Sequence, residues 1–384
     1  MYFRAFLYQS GNFFVLLAVF CFVIKGERKM KEATSNILIG LDNVTLNISC
    51  ERLVKDVKYI PKENNCVIQA QPHGSGTQLA ICLPRTLRPG LNTVPFQKGD
   101  CVSLRTVLGR IRNLCESEFG SRSYLERAVV KSVECGFTVI FPETEECVTI
   151  NNLMMLFQKA LLPMDKKKPQ QAWHTGKKRG GCSYIKQDVV QSFSLPQDSC
   201  NRYSLKAYSK GIGSEQGERN DIKDGVLRYE HVYGQIGLEF VLKQIGKQHI
   251  LCRNGHNDRI LHLEDVLQED VILGLIEQFK RDCNKKLLPT LNGFLKEVSN
   301  IFYNELEIGV KPLDVVKNNK ELMYDWELFS RALKKYYRKS GKSDVSYRKQ
   351  NSRLRNRLNE EGWIFPEGTV MKVLKMITGE LRKT

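Results

Sequence analysis

Tyr208 and Lys210 stand two residues apart in Tyr203-Ser-Leu-Lys-Ala-Tyr-Ser-Lys210, an alternating run that predicts a β-strand. Residues i and i+2 of a strand share a face, so Tyr208 and Lys210 meet at one site, with Lys206 beside them. A neighbouring ammonium favours phenolate over phenol, which predicts that Tyr208 ionises more easily than a free tyrosine. A phenolate is the nucleophile needed to attack a DNA phosphodiester and remain attached as a phosphotyrosine. Such a link conserves the bond energy that resealing the strand requires. The same eight residues also describe an ordinary strand with one half-buried aromatic and solvated lysines, and the segment alone leaves both readings open.

The flanking segments supply partners. A loop, Gly211 to Asn220, leads into Gly225-Val-Leu-Arg-Tyr-Glu-His-Val-Tyr233, and upstream lies Val130-Lys-Ser-Val-Glu-Cys-Gly-Phe-Thr-Val-Ile-Phe141. An acidic-centred strand, a strand with Tyr-x-Lys and a strand with Leu-Arg-Tyr-Glu follow one another in that order. This order resembles the replication initiators of filamentous phages and related plasmids, the gene-II/gene-X family, over roughly residues 36–250. The resemblance implies nicking of a plus-strand origin to start rolling-circle replication. It makes Tyr208 the nicking tyrosine, Lys210 its companion lysine and Arg228 a phosphate clamp. Glu230 and Glu134 become the ligands of a Mg²⁺ or Mn²⁺ ion, whose preference for hard oxygen donors suits carboxylates. The chain also departs from the family. Gly213 stands where a carboxylate is usual, with Glu215 nearest, and Glu134 replaces an aspartate. No histidine pair of the kind used by wider rolling-circle nucleases occurs among His73, His174, His231, His249, His256 and His262.

Charge agrees with a nucleic-acid partner. The net charge is +17, and residues 164–211 and 331–384 carry surpluses of +7 and +10. Basic side chains displace counterions from phosphates, so such patches support salt-sensitive binding to DNA. In the first patch Trp173 and His174 stand near Lys177, Lys178 and Arg179, a combination suited to stacking on an unpaired base. It equally describes a solvated loop. In the second, Lys334–Lys339 and a Ser-Gly-Lys-Ser break precede a helix that Asp344 can cap, running to about Glu361 and closed by Gly362. Gln350, Arg353 and Arg357 lie near one face of it, with Leu354 and Leu358 behind. Helix, short turn and basic second helix suit a major groove, although a solvated basic helix fits as well.

The elements that must position these residues predict an α+β fold. Short apolar strands separated by turn signals occupy residues 36–150, with helices over 101–119 and 149–161. This is a mostly antiparallel sheet with packed helices, rolling-circle nuclease-like, followed by a mainly helical, basic C-terminal region. Composition divides it into an N-terminal extension (1–30), a nicking domain (31–262) and a helical DNA-binding or accessory domain (263–384). Phe13–Ile24 is apolar but short for a bilayer, and Lys25–Lys31 follows it. A start at Met30 is the simpler expectation than an anchor, so no stable membrane association is expected. The twelve cysteines lack any C-x-x-C pair and read as reduced thiols. The expected setting is bacterial cytoplasm, with host helicase and polymerase acting on a single-stranded or unwound origin. The alternative is a DNA-binding replication regulator that does not cut.

Overall fold

Period-two alternation builds most of the sheet. In the computed structural model, residues 36–49, 67–73, 76–88, 94–141, 146–161, 182–186, 189–195, 202–210, 225–252 and 260–383 are described. Eight strands are β1 (Asn36–Ile48), β2 (Val67–His73), β3 (Gly76–Cys82), β4 (Val129–Phe141), β5 (Cys182–Lys186), β6 (Val189–Leu195), β7 (Tyr203–Lys210) and β8 (Gly225–Gly234). They form one sheet in the order β2-β3-β1-β4-β8-β7-β6-β5. Every neighbouring pair is antiparallel. The fold is therefore α+β, as expected, and the strands carrying Glu134, Glu230 and Tyr208 are central and adjacent.

One face of these strands is apolar and receives the helices. Leu41, Val133, Cys135, Phe137, Leu205, Leu227, Tyr229 and Tyr233 are all buried there. Helix α1 (Glu146–Leu161) sets Phe157 edge-on against Phe137 and Tyr229. Helix α2 (Glu269–Asp282) brings Phe279 to the same aromatic group. A fully buried aromatic contributes about 1.5–3 kcal/mol by leaving water, and edge-on pairs add to it. A π-helical turn (Cys283–Leu287) carries α2 into α3 (Leu288–Glu307).

The C-terminal region is helical: α4 (Trp326–Lys339), α5 (Asp344–Glu360) and α6 (Thr369–Arg382). Its hydrophobic residues join the same contiguous core as the sheet, and residues 36–384 form one compact unit. The change in composition near residue 262 is thus not matched by a break in packing. Helix α5 begins one residue earlier than its capping was expected to: Ser343 is the N-cap, its hydroxyl accepting from Ser346 N, and Asp344 is the first helical residue. Gly362, at φ +80°, occupies the left-handed conformation expected just beyond the helix end. No helix among the described residues is long and apolar enough to cross a membrane.

Candidate active site: a tyrosine on a buried carboxylate cluster

Strand register decides which side chains meet on the other face. In the β7–β8 pairing Lys206 lies opposite Glu230 and Tyr208 opposite Arg228. In the β4–β8 pairing Gly136 lies opposite Glu230 and Thr138 opposite Arg228. Directly paired residues project to the same side, so Lys206, Tyr208, Arg228, Glu230, Thr138 and Glu134 converge. Gly136 keeps the space open. A Cβ there would stand 2.2 Å from the Tyr229 carbonyl oxygen and 2.8 Å from Glu230 Cγ.

β1 adds a residue that alternation alone does not reveal. Its register to β4 shifts between Leu41, opposite Cys135, and Val44, opposite Val133. Asp42 and Asn43 together therefore oppose Glu134, the two-against-one arrangement of a β-bulge. Asn43 Nδ2 donates to Glu134 Oε2 at 2.5 Å, and Arg228 Nη1 pairs with Asp42 Oδ1 at 2.6 Å. A bulge re-aims side chains, and here it delivers a third carboxylate to the cluster.

The resulting network is dense and largely buried. Lys206 Nζ meets Glu134 Oε1 at 2.5 Å, and Arg228 Nε donates to Thr138 Oγ1 at 3.1 Å. Tyr208 Oη donates to Glu230 Oε1 at 2.8 Å, with Asp42 Oδ2 3.4 Å away. Asp42, Glu134, Arg228 and Glu230 are each at most 5% exposed. Tyr208 is half-buried, and the Lys206 side chain remains 44% exposed.

Burial and crowding shape the acid–base behaviour. Burial, then the like charges of Asp42 and Glu134, push the Glu230 carboxyl well above its ordinary value, against Arg228 and the Tyr208 hydrogen bond. Burial and Glu230 likewise push the Tyr208 phenol well up, only partly offset by Arg228. This corrects the expectation of an easily ionised phenol. The charges nearest its oxygen are carboxylates, and they outweigh the cation. Burial disfavours the Lys206 ammonium, but Glu134 outweighs it and raises Lys206 above its ordinary value. A neutral phenol that donates to a carboxyl oxygen 2.8 Å away has the geometry for proton transfer between the two groups.

The acidic residues also form a group that could hold a cation. Asp42, Glu134 and Glu230 each place a ligand oxygen within 4.8 Å of the others. Glu230 Oε2 is buried with no hydrogen-bond partner. Buried acceptors are ordinarily satisfied, so an orphaned carboxylate oxygen among like charges is the kind of atom that a metal ion satisfies. An all-oxygen donor set fits Mg²⁺ or Mn²⁺ rather than zinc.

The other residues singled out in the sequence fall in different places. Arg228, expected to face a phosphate, is buried against Asp42 and Thr138 at 1% exposure. Lys210 ends β7, and its side chain lies outside the described residues, as do Trp173, Lys177, Lys178, Arg179 and Glu215. Arg353 and Arg357 are exposed on α5, with Arg357 Nε 3.5 Å from Glu361. Sequence reasoning missed Asp42, Asn43 and Thr138. The available signal was the polar pair Asp42-Asn43 interrupting the apolar run that begins at Ile37.

No protein-family model, curated protein or solved structure matches the chain. The chemistry of the cluster and the order of its strands carry the functional reading.

Proposed function

We propose that the protein is a rolling-circle replication initiator, a site-specific DNA endonuclease and strand transferase with Tyr208 as nucleophile. The observation that carries this reading is the Tyr208 phenol donating at 2.8 Å to Glu230, within a group of three buried carboxylates. It supports a rolling-circle nuclease-like site on an antiparallel sheet, the architecture that the sequence resemblance implies.

The chemistry follows from this chain's own residues. Tyr208 Oη attacks the scissile phosphorus and passes its proton to Glu230 as the new P–O bond forms. The bond from phosphorus to the 3′-oxygen breaks, and that oxygen takes up the proton held by Glu230, leaving a 3′-hydroxyl as primer and a 5′-phosphotyrosine. Attack by a 3′-hydroxyl on that phosphotyrosine reverses the step and closes a circle. A Mg²⁺ or Mn²⁺ ion held by Asp42, Glu134 and Glu230 would supply Lewis-acid stabilisation of phosphoryl charge. Arg228 acts as a positioning residue, fixing Asp42 and balancing the cluster. Lys210, at the end of β7, remains the proposed second cation, and Trp173, Lys177, Lys178 and Arg179 the contacts to unpaired DNA. Exposed Arg353 and Arg357 suit duplex contacts. In this reading a host polymerase extends the 3′-hydroxyl while a host helicase unwinds ahead, in bacterial cytoplasm.

One observation favours the non-cutting regulator instead. Tyr208 is already hydrogen-bonded inside a network in which Arg228 pairs with Asp42 and, at 3.9 Å, with Glu230, while Lys206 pairs with Glu134. Such a cluster also serves as a buried ion-pair network. Adduct trapping separates the two readings. Single-stranded fragments tiled across the replicon that carries the gene are incubated with protein and Mn²⁺, and adducts are mapped by mass spectrometry. A nucleotide on the peptide containing Tyr208 is the expected result. Binding without any adduct would favour the regulator.

A further inference from the structure

Among the described residues the acidic cluster sets three carboxylates against two cations, and the cations differ in kind. Arg228 is 1% exposed and anchored by Asp42, Thr138 and, at 3.9 Å, Glu230. Lys206 reaches the same cluster from outside: its side chain is 44% exposed, whereas the side chain of its partner Glu134 is buried. The lysine head thus occupies the solvent-facing side of Glu134, one of the three candidate ligands. On β8, Glu230 keeps a buried oxygen without a partner. The strand pairing sets Lys206 directly opposite Glu230 and, on its own strand, two residues from Tyr208 on one face.

We propose that Lys206 is an exchangeable internal counter-ion: it neutralises Glu134 while the site lacks a divalent cation, and is displaced from Glu134 when the cation binds. This rests on the metal site described above but not on the nicking reaction. The exchange has a physical basis. A divalent ion beside Glu134 repels an ammonium 2.5 Å from the same carboxylate, whereas the lysine's flexible four-carbon stem lets its head swing into water. Arg228, with its guanidinium held in several directions, cannot make that move. Once displaced, the Lys206 ammonium stands beside Tyr208 on the sheet face, where an incoming phosphate would meet it. The residue therefore couples occupancy of the metal site to readiness for a polyanion.

The test measures Mn²⁺ binding directly, by electron paramagnetic resonance of the free ion and by calorimetry, on the full chain. Lys206→Met removes the competing charge and keeps the apolar stem. The expected result is Mn²⁺ affinity about tenfold or more above wild type. Its melting temperature should be lower than wild type without metal and rise more steeply with added Mn²⁺, because the unpaired Glu134 gains most from the ion. Lys206→Arg, which retains the charge and pairs more firmly with a carboxylate, should not gain affinity. Equal or weaker Mn²⁺ binding by Lys206→Met would overturn the exchange. Absence of Mn²⁺ binding in all three proteins would overturn the site itself. Nicking enters none of these readouts, so a failure of the endonuclease reading leaves the exchange standing.

Discussion

Two buried acidic sites in this protein are built on opposite plans. Asp325, fully buried ahead of α4, receives the backbone N–H groups of Glu327, Gly368 and Met371 at 2.9, 2.7 and 3.1 Å. It caps α4 and ties that helix to the start of α6, so its burial is offset by donors that serve no other purpose. Glu230, equally buried, accepts one phenolic hydrogen bond, has the Arg228 guanidinium 3.9 Å away, faces two further carboxylates and keeps one oxygen without a hydrogen-bond partner. Both carboxyls are pushed above their ordinary values by burial, but backbone donors oppose the rise at Asp325, whereas like charges reinforce it at Glu230. The first arrangement is what stability alone requires. The second stores electrostatic tension, which is what marks a candidate site for a cation and for acid–base chemistry.

Four predictions sharpen that contrast. The largest effect is expected for Arg228→Met, which leaves the carboxylates uncompensated in the sheet centre. Urea unfolding should show a loss of about 3–5 kcal/mol. A loss below about 1 kcal/mol would mean that the cluster is better solvated than its burial indicates. Asp325→Ala comes next, costing about 2 kcal/mol through a lost cap and stranded amides, while leaving Mn²⁺ binding unchanged.

Glu230→Gln should behave in the opposite way. Removing a repelled buried acid is expected to leave the fold as stable as wild type, or to stabilise it by about 1 kcal/mol, while abolishing adduct formation. Denaturation and adduct trapping on the same preparation would decide it. A large destabilisation would assign Glu230 to structure, like Asp325.

The smallest effect concerns pH. The folded state holds the Asp325 proton to higher pH than the unfolded chain does, because the carboxyl is raised. Its contribution to stability is therefore largest below the ordinary carboxylate value and declines as pH rises through the raised one. Asp325→Asn should flatten this decline in melting temperature measured from acid towards neutral pH. An unchanged slope would place the titration elsewhere.

Much of this arrangement was legible in the sequence, and the missing parts share a cause. β7 runs from Tyr203 to Lys210, the predicted run, because alternation there is uninterrupted. The helix expected over 149–161 is α1, and the one expected to run to about Glu361 is α5. Asp42 escaped because a bulge breaks the period of two at that point in β1, and a bulge depends on the partner strand. The direction of the Tyr208 shift was misread for a related reason. Local sequence displays the lysines of its own strand, whereas the carboxylates that dominate its environment arrive from β1 and β8. β6 was missed because its Val-Val-Gln-Ser-Phe-Ser-Leu sits inside a stretch dominated by basic and turn-forming residues.

The most direct test uses supercoiled DNA of the replicon that carries the gene, labelled and incubated with Mg²⁺ or Mn²⁺ and either wild-type protein or Tyr208→Phe. The account predicts relaxed circles carrying a 5′-linked protein with wild type and none with the variant. Undiminished nicking by Tyr208→Phe, or firm binding without nicking by wild type, would contradict it.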